Sequence, residues 1–323
     1  MIPTAAQVEK AREMLSHYLR RTRLLLSESL ERRSGARVVL KMETDLPTHS
    51  FKPRGALTAL LTTAEKRRLT GVAAASTGNH GAAVAYAATL VGIPAMIFLP
   101  NNPNPVKRAR ILGLGAKVIE SDSGSASAPI DGATGFAREN GYYLLDDATD
   151  PLVPTGTATI ASEILDEVPE CDVIFVPMGD TALIRGVAAE AKRRRPTIRI
   201  IGVQAERAPA YVRSWQEDKV IVTETCDTIA DGLATLNPSE TNVQEIRELV
   251  DEVRLVSEQE MLDAIQLLLL DEHVVAEPAG AAATAAFLQD PSVYAGRNVA
   301  LLVTGANISD DVLRRAMAHR RDE

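Results

Sequence analysis

Cysteine is nearly absent: Cys171 and Cys226 are the 2 in 323 residues. Neither belongs to a CxxC or stands near a histidine at ligand spacing, so a disulfide framework and a zinc site are not expected, and a reducing, cytoplasmic compartment fits best. Basic charge is short as well. Lys and Arg number 35 against 43 Asp and Glu, a formal charge of -8. Nucleic acid is therefore a poor partner, because neutralising phosphates takes clustered basic residues. The one dense basic run, Lys192-Arg193-Arg194-Arg195, closes a predicted helix, where cations suit the negative end of the dipole. Apolar runs stop short of the ~18 residues that a membrane span requires. The N-terminus mixes Glu9 and Glu13 with arginines and has no signal-peptide core. No strand opens on the dinucleotide fingerprint GxGxxG, and no Walker loop is present.

What is present is alternation. Strand-like runs at 37–42, 71–75, 93–99, 116–120, 142–145, 173–177, 199–204 and 299–303 are interleaved with helical spacing. Helices are predicted over 4–33, 55–68, 82–90, 106–113, 157–167, 182–194, 258–271, 278–288 and 309–319. Ser257 and Glu260 form a capping-box pattern at one of these starts, and Thr4 is a candidate cap at another. Strand, loop and helix in repetition predict an α/β fold with parallel-type sheets and right-handed crossovers. The continuously apolar Val299-Ala300-Leu301-Leu302-Val303 suits a sheet covered on both faces. A chain of 323 residues exceeds what one core usually serves, so two domains are expected.

Sites in such folds form at the carboxyl ends of strands, and four loops follow strands here. Lys52 lies in Ser50-Phe51-Lys52-Pro53-Arg54-Gly55-Ala56, a strand-to-helix turn. It is either a surface lysine or an amine activated for covalent chemistry, its pKa lowered by the helix N-terminus. Ser76-Thr77-Gly78-Asn79-His80-Gly81 is either a capped turn or a seat for a carboxylate or phosphate. Met178-Gly179-Asp180-Thr181-Ala182-Leu183 could cradle a phosphate at a helix start or be a cap alone. Thr304 ends a buried strand, where its hydroxyl could serve a backbone group. Glu277, before Pro278-Ala279-Gly280, is either a helix-start charge or a buried polar contact.

Taken in order, Ser50 to Ala56, Ser76 to Gly81, Pro177 to Leu183, Thr228 to Leu233, Glu277 to Ala281 and Thr304 to Asn307 resemble the threonine/serine dehydratase group of pyridoxal-phosphate enzymes, with the tryptophan-synthase-β-like fold (fold type II). The resemblance runs over nearly the whole chain. It implies residues 1–49 and 149–323 as a large domain, 50–148 as a small one, and pyridoxal 5'-phosphate in the interdomain cleft. It implies a lyase that eliminates the β-hydroxyl of a hydroxy amino acid, giving a 2-keto acid and ammonia. A racemase on the same scaffold and a non-catalytic α/β ligand-binding protein are the alternatives. By resemblance, Lys52 carries the cofactor and acts as the base on Cα. Ser76, Thr77, Gly78, Asn79 and His80 hold the substrate carboxylate, and Asn79 also reaches the cofactor's ring oxygen. Gly179, Asp180, Thr181, Ala182 and Leu183 bind the phosphate, and Thr304 meets the pyridine nitrogen. Phe51, Gly232 and Glu277 complete the cofactor set. Thr77 stands where serine racemases place a second acid, so it is the other catalytic candidate. A cytoplasmic homodimer acting on a small amino acid, without membrane or nucleic acid, is implied.

Departures from the family pattern point to a reshaped pocket. The phosphate loop is usually a run of glycines, and Asp180 and Thr181 interrupt it here. His49 stands where glycine is common. The usual His-Pro-Phe-Asp is replaced by Asp146-Asp147-Ala148-Thr149, a carboxylate pair that would suit a substrate bearing an amine, such as a hydroxylated diaminobutyrate. Gln204, Ala208 and Ala210 occupy the positions of a divalent-metal site in some relatives, and lack both of its carboxylates, so no such metal is expected. The stretch beyond Thr304 is too short for a C-terminal amino-acid-sensing domain, and feedback of that kind is not expected.

Overall fold

The computed structural model describes residues 2–318 except 77, 102, 104, 124 and 126. Among these residues, ten strands form two sheets. The strands are β1 (Leu24–Leu26), β2 (Arg37–Met42), β3 (Val72–Ala75), β4 (Ala95–Leu99), β5 (Lys117–Glu120), β6 (Tyr143–Leu144), β7 (Val173–Pro177), β8 (Arg199–Ala205), β9 (Glu252–Val256) and β10 (Asn298–Val303). The larger sheet runs β1-β2-β10-β7-β8-β9, and the smaller β5-β4-β3-β6. Every pairing is parallel except β1 with β2. Parallel strands need helical crossovers, and these cover both faces of the sheet.

The period of two explains why the central strands read as unbroken apolar runs. Val38 and Leu40 of β2, Leu301 and Val303 of β10 and Phe175 of β7 face one core. Their neighbours Val39, Ala300, Leu302, Ile174 and Val176 face the other. A third core, with Leu57, Leu60, Val72, Ile97 and Leu99, lies between the small sheet and its helices. Full burial of each Leu or Val contributes roughly 1.5–3 kcal/mol, so both faces of the large sheet hold it together.

The helix expected over 4–33 is interrupted. Thr4 caps Ala5–Ser16 through a capping box with Gln7, a second helix spans Glu28–Ser34, and β1 lies between them. Leu24 to Leu26 extend the large sheet by pairing with Val39 to Lys41, and strand hydrogen bonds outweigh helical spacing there. Helices Ala210–Glu217 and Glu240–Leu249 and strand β9 have no counterpart in the sequence expectation. In β9, Glu252 and Arg254 alternate with Val253 and Leu255, an edge pattern too short and charged to stand out. The helix expected from 55 begins earlier, at Lys52 (Lys52–Lys66), with Pro53 in its first turn. That shift makes Lys52 the first helical residue.

Candidate active site

The lysine turn is tied to the end of β10. Ser50 bridges Gly305, and the Phe51 amide donates to the Thr304 carbonyl at 3.0 Å. Lys52 and Thr304 thereby both border one cavity of ≈ 530 Å³. The start of helix Asn79–Val91 and the loop leading to helix Ala182–Arg194 border it too. Every described residue that the resemblance selects borders this cavity, from Phe51, Lys52, Ser76, Gly78, Asn79 and His80 to Gly179–Leu183, Gly232, Glu277 and Thr304. Thr77 lies outside the described residues.

Asn79 is held by a chain of amides. Arg110 donates to Asn307 Oδ1 and, at 2.6 Å, to the Thr48 carbonyl. Asn307 Nδ2 donates to Asn79 Oδ1 at 2.5 Å, and Asn79 Nδ2 donates to Glu277 Oε1 at 2.6 Å. Glu277 is thus a half-buried polar contact rather than a solvated helix-start charge. Burial pushes its carboxyl up to about 7, against the hydrogen bond from Asn79. A side chain at Gly305 would run into that carboxylate. His80 Nε2 donates to the Leu145 carbonyl at 2.9 Å, and its Nδ1 stands 3.7 Å from Asp147.

The loop at 179–183 is built for close approach. A Cβ at Gly179 would strike the Gly232 carbonyl, and Thr181 takes a left-handed φ of 67° just before the helix. Thr181 Oγ1 accepts from Arg185 Nε at 3.1 Å, and Asn242 Nδ2 donates to the Asp180 carbonyl at 3.4 Å. Asp180 Oδ1 accepts from Thr235 at 3.0 Å. Burial, then the charge of Asp147, pushes Asp180 up to about 6.

Lys52 departs from expectation. Burial, the largest single influence, pulls its pKa down, but an ion pair with Asp147 and the charges of Asp180 and Asp146 outweigh it, so the pKa is raised. The helix start does not decide the matter. Asp147 is pushed up by its own burial, yet His80 and Lys52 hold it well below the usual carboxylate range. Of the pair Asp146-Asp147, only Asp147 borders the cavity. Asp146 turns back to cap its own loop through Thr149 at 2.7 Å and the Ala148 amide at 3.2 Å. Lys107, Arg110, Asp231, Thr235 and Asn307 also border the cavity. Asn307 falls in a segment that the resemblance marked, as does Asp231, whereas the other three have no sequence signal.

These residues fit a pyridoxal phosphate. The cavity offers an amine, a glycine-backed helix start for the phosphate, and a hydroxyl, Thr304 Oγ1, which donates to the Ala279 carbonyl at 3.3 Å.

Comparison with known proteins points the same way. Residues 15–305 match the family of pyridoxal-phosphate dependent enzymes. An L-threonine ammonia-lyase of Thermotoga maritima is 35% identical over 97% of this chain and 77% of its own length. The structure of maize serine racemase superposes with a TM-score of 0.92 at 30% identity, covering 98% of each chain. A threonine deaminase from Solanum lycopersicum, in its processed form, gives 0.89 at 26% identity, covering 98% of this chain and 94% of its own.

Proposed function

The chain belongs to the family of pyridoxal-phosphate dependent enzymes, and from that premise we propose that it is a lyase converting a β-hydroxy amino acid into a 2-keto acid and ammonia. The observation that carries the reading is Lys52, the first residue of its helix, bordering one cavity with Ser76, Gly78, Asn79 and His80 and with the loop at 179–183. The bound cofactor supplies an electrophilic carbon for the substrate amine and a sink for the electrons left at Cα. Lys52 Nζ would hold it, and as a free amine would take the Cα proton. Asp147 beside it favours the ammonium form, which strengthens Lys52 as a base. That ammonium is then the proton donor at hand for the departing hydroxyl, so water leaves as the Cβ–O bond breaks. The released enamine hydrolyses in water to the keto acid and ammonia. The substrate carboxylate lies at the start of helix Asn79–Val91, where backbone N–H groups face an anion. Thr304 offers the pyridine nitrogen a neutral hydroxyl. The ion pair of Lys107 with Asp231 and the contact of Arg110 with Asn307 line the cavity.

One observation favours substrates with a second amine. Asp147 borders the cavity, and Lys52 and His80 both approach its Oδ2. A side-chain ammonium on the substrate would meet the other oxygen, Oδ1, with Lys52 still beside the carboxylate. Two free cysteines, one of them a buried Cys171 thiol pushed up to about 12 by burial, support a cytoplasmic setting; by the resemblance we take the enzyme as a homodimer. The test is a panel of threonine, serine, 3-hydroxyaspartate and amine-bearing 3-hydroxy amino acids, scored for keto-acid release and for inverted stereochemistry. Keto-acid release is expected, with amine-bearing compounds preferred at least about tenfold in kcat/KM and that preference lost in Asp147→Asn. Inversion without keto acid throughout the panel would overturn the lyase reading in favour of a racemase.

A further inference from the structure

We propose that the cradle at 179–183 takes the cofactor's phosphate together with one proton, and that Asp180 is the residue that holds it. This rests on the pyridoxal-phosphate reading above. Anion sites at helix starts work through backbone N–H groups and small residues, and a carboxylate within one opposes its purpose. Asp180 lies between Gly179 and Thr181, borders the cavity, and has one oxygen fixed by Thr235.

The surrounding charges offer only partial relief: Lys52 lowers Asp180, and burial with Asp147 and Asp146 outweighs it. From the start of its helix Lys52 faces the loop, but it is paired with Asp147. From the segment after β6, Asp147 and Asp146 add negative charge near Asp180. His80, on the helix that starts at Asn79, leans on Asp147 rather than on the loop. Behind the loop, Arg185 is divided among Thr181, Glu245 and the Ala148 carbonyl. Tyr211 accepts from Asn242, and Asp231 on the Thr235 side is paired with Lys107. A phosphate dianion arriving here meets an excess of carboxylates.

Protonation removes the conflict and adds a bond. A proton from solvent neutralises the free oxygen of Asp180, and the resulting O–H donates to a phosphate oxygen, a short charge-assisted bond. Burial and Asp147 already push Asp180 up to about 6, and a bound phosphate pushes it in the same direction. Cofactor affinity should then fall as pH rises.

The full chain, freed of cofactor, is titrated with pyridoxal phosphate between about pH 6 and 9 and read by the bound-cofactor absorbance. Linkage of one proton gives a dissociation constant that rises about tenfold per pH unit above roughly pH 7. Asp180→Asn and Asp180→Gly should flatten that slope to below about twofold per unit, while pyridoxal, which lacks the phosphate, shows no slope that depends on Asp180. Calorimetry in buffers of different ionisation enthalpy should count about one more proton taken up by the wild type than by Asp180→Asn at pH 8. Equal slopes and equal proton counts in the wild type and in whichever variant keeps its folded melting transition would overturn the assignment to Asp180. Failure of the wild type to develop bound-cofactor absorbance at any pH would instead overturn the cofactor reading on which the inference rests.

Discussion

Lys52 and Arg54 sit two residues apart in the first turn of one helix and face charge clusters that are balanced differently. Arg54 is fully buried with Glu43 and Glu163 on its guanidinium, at 2.8 and 2.9 Å to the first and 2.7 and 2.8 Å to the second. Lys41 closes the cluster, at 2.5 Å to Glu163 and 2.8 Å to the Thr22 carbonyl. Two cations meet two anions, and burial of Glu163 is outweighed by Arg54 and Lys41, so its carboxyl is lowered to about 2. The Lys52 cluster is unbalanced. Asp147 and Asp180 share one lysine, and both Asp180 and, farther along the wall, Glu277 are held above the usual carboxylate range. A balanced buried cluster fixes the chain in place. An unbalanced one leaves room for charge to arrive and depart, and strong shifts of that kind gather at functional sites.

Removing each cation should separate the two roles, and this is the largest effect expected. Lys52→Ala should cut keto-acid release by at least about a thousandfold, with a smaller change in the urea midpoint than Arg54→Ala, because His80 still stands against the buried Asp147. Arg54→Ala should do the reverse. It leaves two buried carboxylates with Lys41 alone, at a cost of about 3–5 kcal/mol, read by urea denaturation. Retained turnover in Lys52→Ala, or unchanged stability in Arg54→Ala, would break the division between a working cluster and a supporting one.

Acidity should separate them next, with opposite signs. Glu163 is lowered from its ordinary 4.5 to about 2, so its stabilisation is complete above pH 4.5 and is lost as pH falls through about 2. Asp180 is raised from 3.8 to about 6, so the folded state holds a proton that the unfolded chain has released, and stability falls as pH rises through about 6. Cofactor-free Asp180→Asn should therefore be more stable than the wild type at pH 8 by about 1–3 kcal/mol, and the gap should close toward pH 4. Glu163→Gln should be destabilised at pH 7, and its gap should narrow in acid. A gap for Asp180→Asn that is the same from pH 4 to 8 would show that Asp180 carries no proton linkage.

Legibility in the sequence followed the same division. The parallel sheets were readable because central strands such as β10 are apolar on both faces, and the four loops were readable because small and polar residues stand at strand ends. β1 was hidden, since Leu24 to Leu26 carry helical spacing as well as strand propensity, and only pairing with β2 decides between them. The sign of the shift at Lys52 was hidden too. It depends on Asp147, 95 residues away, and no local rule gives a distance across the fold. Arg110 and Thr235 lie in ordinary stretches and become part of the cavity wall only through tertiary packing.

His49 joins what was legible to what was not. It stood out in the sequence as a histidine where glycine is common, without a reason. The backbone supplies one: φ at His49 is 52°, and its amide donates to the Leu46 carbonyl at 2.7 Å while its carbonyl accepts from Ala306 at 2.9 Å. The left-handed turn is needed to bring the lysine segment against the end of β10. Histidine tolerates that region better than most residues, yet a Cβ there costs roughly 1–2 kcal/mol, against the roughly 0.5–1 kcal/mol of chain entropy that glycine loses. The side chain is exposed, so little else is at stake. His49→Gly should raise the stability of the cofactor-free protein by about 0.5–1 kcal/mol, measured by urea denaturation, with kcat/KM unchanged. A variant of equal stability but lower kcat/KM would move His49 from the scaffold side of the comparison to the working side, three residues from Lys52.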